Sequence, residues 1–560
     1  LCVWAIFNWW HAGREVARFY IDLPVWDYWD TITHYARYKA ADLSVLWIQH
    51  NEHRIVFPET IFAFDLLVLR GQIVLPTVLS FCFFGGVWLV MAGALAKDTE
   101  ITTIPRYAAV FLAAILMAWK GCATALGIPF LMQWTMNQFF TILALWFLAR
   151  LSESRRMVWL APLCASAIVS NYSSGNGLLL WPILIGVALL VRLPWRQLGN
   201  LGLVGVFSIA VYFVGYKPLG PLNWRALPEH PIYFAKFMAS YVSMPFANLQ
   251  GDPSFGVHVG LVSLAALGVL LVMAARMKLL TTPTGIVMFG YFAFVLSCGL
   301  MTALGRMNPL DPYLQSPKAV RYLTVPLSYW GALAILSVWV TARYARESGT
   351  VTATILAVLL SLLLLKMSHK PRYDAWYQSS ITNTFANQQW AALAVESGVL
   401  DPVPDIFLFP DIHFVPQVAP LMRSERLSLF SKPEPWWIGR DVKAVFALPL
   451  RAAQAGGIVA TERLETAIAV AGWSSAGSGS SGHLELLLVD EDNRIVGLGE
   501  KLPAGLPERF SKLSLTPANQ WTGFVNLAYH SHAVSPYAVT PDGTALIPLT
   551  GGSTSLDNVK

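Results

Sequence analysis

Apolar runs of about 17–25 residues, the length that carries a helix across a hydrocarbon core, recur through the first two thirds of this chain. They limit its folds more than any other feature. Peptide groups inside a bilayer have no water to bond, so such runs must be helices. Composition agrees: 55% of residues are hydrophobic, 13% are charged and mean hydropathy is +0.51, whereas soluble domains carry roughly 25% charged residues. Runs fall at 1–20, 73–96, 107–121, 131–149, 157–171, 177–191, 199–216, 256–275, 284–304, 320–341 and 350–366. The expectation is a polytopic α-helical membrane protein of about eleven spans. The 22 Trp and 19 Tyr suit interfacial belts. Leu1 opens inside an apolar run without a Met, so a preceding cytoplasmic start is expected.

Loop charge orients the chain. Lys97 and Arg106; Arg150, Arg155 and Arg156; Arg192 and Arg196; Arg276 and Lys278; and Arg343 and Arg346 lie in short alternate loops. Basic short loops stay cytoplasmic. The other set, 21–72, 171–177, 217–255 and 305–318, is richer in Pro, Asn, Asp and aromatics. This alternation puts those segments and the C-terminus outside. Short loops and five cysteines, none beyond Cys298, suit a bacterial inner membrane with a periplasmic C-terminal region. The expected division is a membrane domain over 1–366, whose first outer loop is 21–72, a mixed α/β linker over 367–440, and a β-sandwich over 441–560. Residues 31–49 carry the spacing of a helix lying on the membrane surface. A helix is expected over 384–399. Runs at 484–489 and 495–498 around Asp490-Glu491-Asp492-Asn493 read as a hairpin, and 476–482 as a Gly/Ser loop.

The first outer loop holds Pro24-Val25-Trp26-Asp27-Tyr28-Trp29-Asp30. A carboxylate partly screened from water by Trp26 and Trp29 is a candidate general base for a transfer onto a hydroxyl. The alternative is two loop acids, with Asp30 capping the helix that follows. His50-Asn51-Glu52-His53-Arg54 comes next. Glu52, His53 and Arg54 suit a sugar or phosphate, or else close the loop edge. A divalent cation fits less well, because two His three residues apart match no known zinc spacing. Arg306, Lys318, Arg321 and Tyr322 stand at the outer ends of the last large runs. A guanidinium fork suits phosphate oxygens, though snorkelling to headgroups would place these residues equally well. The turn 171–177 and the loop 217–255 mix aromatic and polar residues as sugar sites do, and as interfacial loops do. Phosphate-loop and dinucleotide signatures are absent in usable contexts. The basic loops are too short to fold a nucleotide domain. No cofactor and no nucleic-acid partner is expected.

Taken together, the acidic motif after the first run, the surface segment, the many spans and the outer C-terminal domain resemble the GT-C glycosyltransferase superfamily over about residues 1–366. Pro24-Val25-Trp26-Asp27-Tyr28-Trp29-Asp30, the His50–Arg54 cluster, Gly305-Arg306 and Arg321-Tyr322 look like motifs of membrane proteins from bacterial polysaccharide loci. The resemblance implies a polyprenyl-phosphate sugar donor, a glycan or lipid acceptor at the outer face, and inverting transfer. It places the base at Asp27, with Asp30 as the alternative where the family often has an acidic pair. Arg306 and Arg321 would hold the phosphate. Two rivals stay open. One is a lipid or glycan transporter; the other is a polysaccharide polymerase or ligase using a pyrophosphate-linked donor.

Overall fold

Helices form where the apolar runs fall. The computed structural model describes residues 1–344 and 383–560, apart from 19, 120, 219, 221–222, 247–252, 312–313, 315, 447–450, 476–484, 502–509, 511–519, 541–543, 552, 558 and 560. The run at 350–366, Arg346 and the Gly/Ser loop 476–482 lie outside the described residues. Helices occupy the remaining runs: Cys2–Arg18, Val74–Ala96, Thr103–Met117, Met132–Ser154, Leu160–Asn171, Leu180–Leu190, Trp195–Tyr212, Pro253–Arg276, Pro283–Arg306 and Thr324–Tyr344. Among the described residues, four segments are long and apolar enough to cross a membrane: Val74–Ala96, Ser254–Arg276, Pro283–Arg306 and Val320–Tyr344. By length and composition these four helices are compatible with a membrane protein.

The chain divides into two compact units. The first comprises Leu1–Ala17, Asp42–Ile61 and the described residues of Leu75–Tyr377. Its helix interfaces bury polar groups in matched sets. The Gln138 side chain donates to Thr324 Oγ1 at 2.8 Å and accepts from Ser328 Oγ at 3.0 Å, while Tyr291 donates to Ser328 Oγ at 2.8 Å. Interhelical bonds of this kind are worth about 0.6 kcal/mol each in lipid. The two loop sets also bond among themselves. Arg343 pairs with Asp98 and Glu100, and Gln197 donates to the Arg155 carbonyl. From the other set, the Gln49 and Lys217 segments bond each other, as do Tyr233 and the Asp311 carbonyl.

The second unit comprises Arg18–Ala41, Phe62–Val74 and the described residues of Gln378–Lys560. The first loop is thus shared between the units. Its parts in the second unit are tied there by backbone bonds, from the Trp26 N–H to the Leu408 carbonyl at 2.6 Å and from the Ser428 N–H to the Arg70 carbonyl at 2.6 Å. Lys39 pairs with Glu425 and Lys432 with Asp22, each at 2.9 Å. Over 31–49 the expected single surface helix is broken. Helices run Tyr28–Thr33 and Tyr35–Lys39, Ala41 takes a left-handed φ of 54°, and a 3-10 turn follows at Leu43–Trp47. The Asp42 side chain accepts the Ser44 N–H at 3.0 Å and starts that turn, so local capping outweighs the apolar spacing.

The C-terminal strands are not a sandwich. β3 (Gly456–Arg463), β4 (Ala467–Ser474), β5 (Glu485–Asp490), β6 (Ile495–Glu500), β7 (Gln520–Asn526), β8 (Ala533–Val539), β9 (Leu546–Pro548) and β10 (Thr554–Ser555) make one antiparallel sheet in the order β10-β8-β5-β6-β7-β4-β3, with β9 also on β8. It curls toward a barrel. Arg451, Gln454 and Gly456 exchange backbone bonds with Leu546, Pro548, Thr550 and Gly551, joining the segment at β3 to the far end of the sheet. Both faces of the sheet are buried. Ala467, Ala469 and Ala471 pack in one cluster with Trp390 and Leu393 of the helix Asn383–Glu396. Ile468, Val470, Leu486 and Leu488 pack in the other with Trp521. Two buried faces explain the unbroken apolar run 486–489. At Gly472 a Cβ would lie 2.5 Å from the Trp521 ring, so only glycine fits.

Candidate functional site

The polar centre of the first unit is a two-stranded ribbon, β1 (Gln49–His50) with β2 (His53–Arg54). Asn51 and Glu52 form its turn, and Asn51 adopts a left-handed φ of 49°, which Asn tolerates. Arg54 anchors the ribbon. It is 2% exposed, and its guanidinium donates to the carbonyls of Tyr212 at 2.6 Å, of Val214 at 2.5 Å, and of Trp47. Its Cζ also lies 4.7 Å from the Trp47 ring centroid. Three of its N–H groups are thus engaged by backbone carbonyls.

Tyr212 locks the ribbon from the opposite side. Its hydroxyl accepts the Arg54 N–H at 3.1 Å and donates to the Glu52 carbonyl at 3.2 Å. The turn 171–177 packs close by. The Gly175 N–H donates to His53 Nδ1 at 3.1 Å, which makes that nitrogen the acceptor and leaves the proton of a neutral ring on Nε2. A Cβ at Gly175 would sit 2.7 Å from His53 Nδ1 and 3.2 Å from the Glu52 carbonyl oxygen, so this contact requires glycine.

The ribbon tip carries the charge. Glu52 Oε1 meets Arg306 Nη2 at 3.3 Å, with both side chains partly exposed. Burial pushes the Glu52 carboxyl up, but His53, its own backbone N–H and Arg306 together hold it below the ordinary value. An aromatic row continues from His53. Its ring meets Trp134 edge-on at 6.3 Å, Trp134 meets Tyr322 edge-on at 5.5 Å, and Arg321 Cζ stands 5.2 Å from the Tyr322 ring centroid. Half-buried Lys318 lies on the turn Ser316–Lys318, where burial lowers its pKa against the pull of Asp311. Glu52, His53, Arg306, Arg321 and Tyr322, named from three separate stretches of sequence, are thus connected within one unit. Guanidinium groups are chemically suited to carboxylate and phosphate oxygens.

Asp27 and Asp30 belong to the second unit. Asp27 stands at the N-cap of Tyr28–Thr33 with helical backbone and no side-chain cap bond. Asp30 lies within that helix rather than capping it, and its carbonyl accepts the Thr33 hydroxyl at 2.6 Å. Both are half-buried. The helix is fixed by its neighbours: Trp29 Nε1 donates to the Pro24 carbonyl at 2.7 Å, and Tyr28 donates to Asp65 Oδ2 at 2.9 Å.

Asp65 escaped the sequence reading. It is fully buried and also accepts the Ile73 N–H at 3.1 Å, and burial raises its pKa against those two bonds. One acid inside the otherwise apolar stretch 61–69 was the available signal. Trp134 was missed because it sits in an apolar run and reads as lipid-facing. Among the described residues no three His, Cys, Asp or Glu side chains gather as metal ligands would; the His50 ring packs 4.8 Å from Phe130. No protein-family model matches this chain, and no curated protein matches it either.

Proposed function

We propose that this protein is a membrane glycosyltransferase of GT-C type with about eleven spans. It takes a sugar from a polyprenyl-phosphate donor and transfers it to a glycan or lipid acceptor at the outer face of a bacterial inner membrane. The observation that carries the reading is the array of Arg306, Arg321 and Lys318 with the Glu52 ribbon at the ends of apolar helices. Cations at that depth are costly unless they meet a partner, and a lipid phosphate is a partner that arrives from the bilayer. In the proposed reaction the acceptor hydroxyl attacks the anomeric carbon. The bond from that carbon to the phosphate oxygen breaks, and polyprenyl phosphate leaves with the electron pair. Asp27, with Asp30 as the alternative, takes the hydroxyl proton, and one displacement inverts the configuration. Arg306 and Arg321 stabilise the charge growing on the leaving phosphate. Glu52 holds Arg306 in place until the phosphate competes for it. The C-terminal unit, placed outside the cell membrane in this scheme, would present the glycan acceptor.

The test uses the full chain in lipid nanodiscs with polyprenyl-phosphate hexoses and pentoses, and a cell-envelope glycan extract as acceptor. Release of polyprenyl phosphate together with transfer of labelled sugar is expected for at least one donor. Passage of intact donor across a proteoliposome membrane without bond cleavage would point to the transporter instead. Turnover with pyrophosphate-linked donors alone would point to the polymerase or ligase.

A further inference from the structure

Buried polar side chains nearly always find partners, and the turn beside the ribbon breaks that rule three times in six residues. Ser174 Oγ, Asn176 Nδ2 and Asn171 Oδ1 have no hydrogen-bond partner among the described residues. Ser174 and Asn171 are 0% exposed and Asn176 is 8% exposed. They offer a hydroxyl, an amide donor and an amide acceptor. Ser174 and Asn176 flank Gly175, whose N–H bonds His53 Nδ1 at 3.1 Å, so this part of the turn runs beside the ribbon that carries Glu52. The turn is held from behind. Asn171 Nδ2 donates to Ser208 Oγ at 3.1 Å, Tyr172 donates to the Ser208 carbonyl at 2.9 Å, and Asn137 Nδ2 donates to the Ser170 carbonyl at 2.8 Å. Leaving such a group unmade costs about 1–3 kcal/mol, and a rigid scaffold that keeps three of them unmade is preorganised for a ligand.

We propose that this turn is the subsite for the uncharged hydroxyls of a pyranose, with Ser174, Asn176 and Asn171 bonding the ring hydroxyls. It is separate in chemistry from the cations that take phosphate. The assignment rests on the glycosyltransferase reading and extends it: the turn reads the sugar and Arg306 reads the phosphate. Net-uncharged polar groups fit ring hydroxyls and do not fit an anion.

Two probes separate the two ends. Methyl pyranosides of glucose, galactose and mannose are titrated by saturation-transfer NMR against the full chain in nanodiscs, and farnesyl phosphate by calorimetry. At least one pyranoside should bind, and Ser174→Ala should weaken it about tenfold while farnesyl phosphate stays within about twofold. Arg306→Gln should do the reverse. Asn176→Leu should match Ser174→Ala; if it does not fold, the small Ser174→Ala truncation still decides. If pyranoside binding is absent, or unchanged in Ser174→Ala, the subsite is overturned and the three groups are left to internal water; the donor reading survives if farnesyl phosphate binds. Ser174-dependent pyranoside binding without farnesyl phosphate binding would keep the subsite and sink the lipid-phosphate donor.

Discussion

Asp405 is fully buried in the second unit, and neither of its carboxylate oxygens has a partner among the described residues. Burial, with nearby Asp401, pushes its pKa up to about 8. An acid whose folded pKa lies above its unfolded value favours folding in its protonated form. Stability is therefore lost as pH rises from the ordinary Asp range to about 8, and then levels off. Asp405→Asn should raise the melting temperature at pH 8.5 and change it little at pH 4.5, as read by thermal unfolding at the two pH values. Glu52 has the opposite sign. Its pKa is lowered, so its contribution is present above the unfolded pKa and fades as pH falls through the folded one. Glu52→Gln should lower the melting temperature slightly at pH 7 and above and leave the acid end of the profile nearly unchanged; the effect is small, since both partners are partly exposed. An equal loss at every pH would mean that Glu52 acts through packing instead. The sequence supplied the identity of Glu52 and Arg306 but not their pairing, because 254 positions separate them.

At the scale of elements, the ribbon Gln49–Arg54 is a short piece of structure in which one side chain, Arg54, makes three bonds to backbone carbonyls. Hydrogen bonds to a charged group are worth about 1.5–3 kcal/mol each, and Arg54 makes three to carbonyls. Arg54→Gln should lower stability by about 2–4 kcal/mol and weaken both ligand ends together, because the ribbon carries Glu52 and His53. Nanodisc melting with the pyranoside and farnesyl phosphate titrations reads this. Loss of farnesyl phosphate binding alone, at unchanged stability, would restore Arg54 to the ligand. From sequence Arg54 reads as a group that binds a sugar or phosphate, since its carbonyl partners at Tyr212 and Val214 lie about 160 positions away. The helices were readable for the opposite reason: bilayer thickness sets their length locally. The break in the surface helix at Ala40-Ala41-Asp42 was not readable from apolar spacing, because a left-handed Ala41 and the Asp42 turn decide it.

At the scale of the whole molecule, the two units divide the chemistry that the sequence assigns to it. The first holds the cations, the aromatic row and the turn 171–177; the second holds Asp27, Asp30 and the curled sheet. The hairpin around Asp490 was legible because its bonds are local: Asp490 Oδ1 accepts the N–H groups of Asp492 and Arg494 at 3.0 and 2.7 Å. The closure of the sheet was not legible, because it depends on Arg451–Gly456 finding Leu546–Gly551 across the rest of the domain. That same sheet buries both faces, and the two-sided packing hides the alternation by which a sandwich is usually told from other β folds.

The measurement that bears most directly on this account is the rate of sugar transfer from a polyprenyl-phosphate donor by Asp27→Asn and Asp30→Asn, beside the wild-type chain, in nanodiscs. General-base catalysis contributes about 10²–10⁴-fold. Asp27→Asn is expected to lose at least a hundredfold in kcat, with farnesyl phosphate binding and melting temperature unchanged. Transfer by both variants within twofold of wild type would contradict the claim that a carboxylate of the first loop takes the acceptor proton.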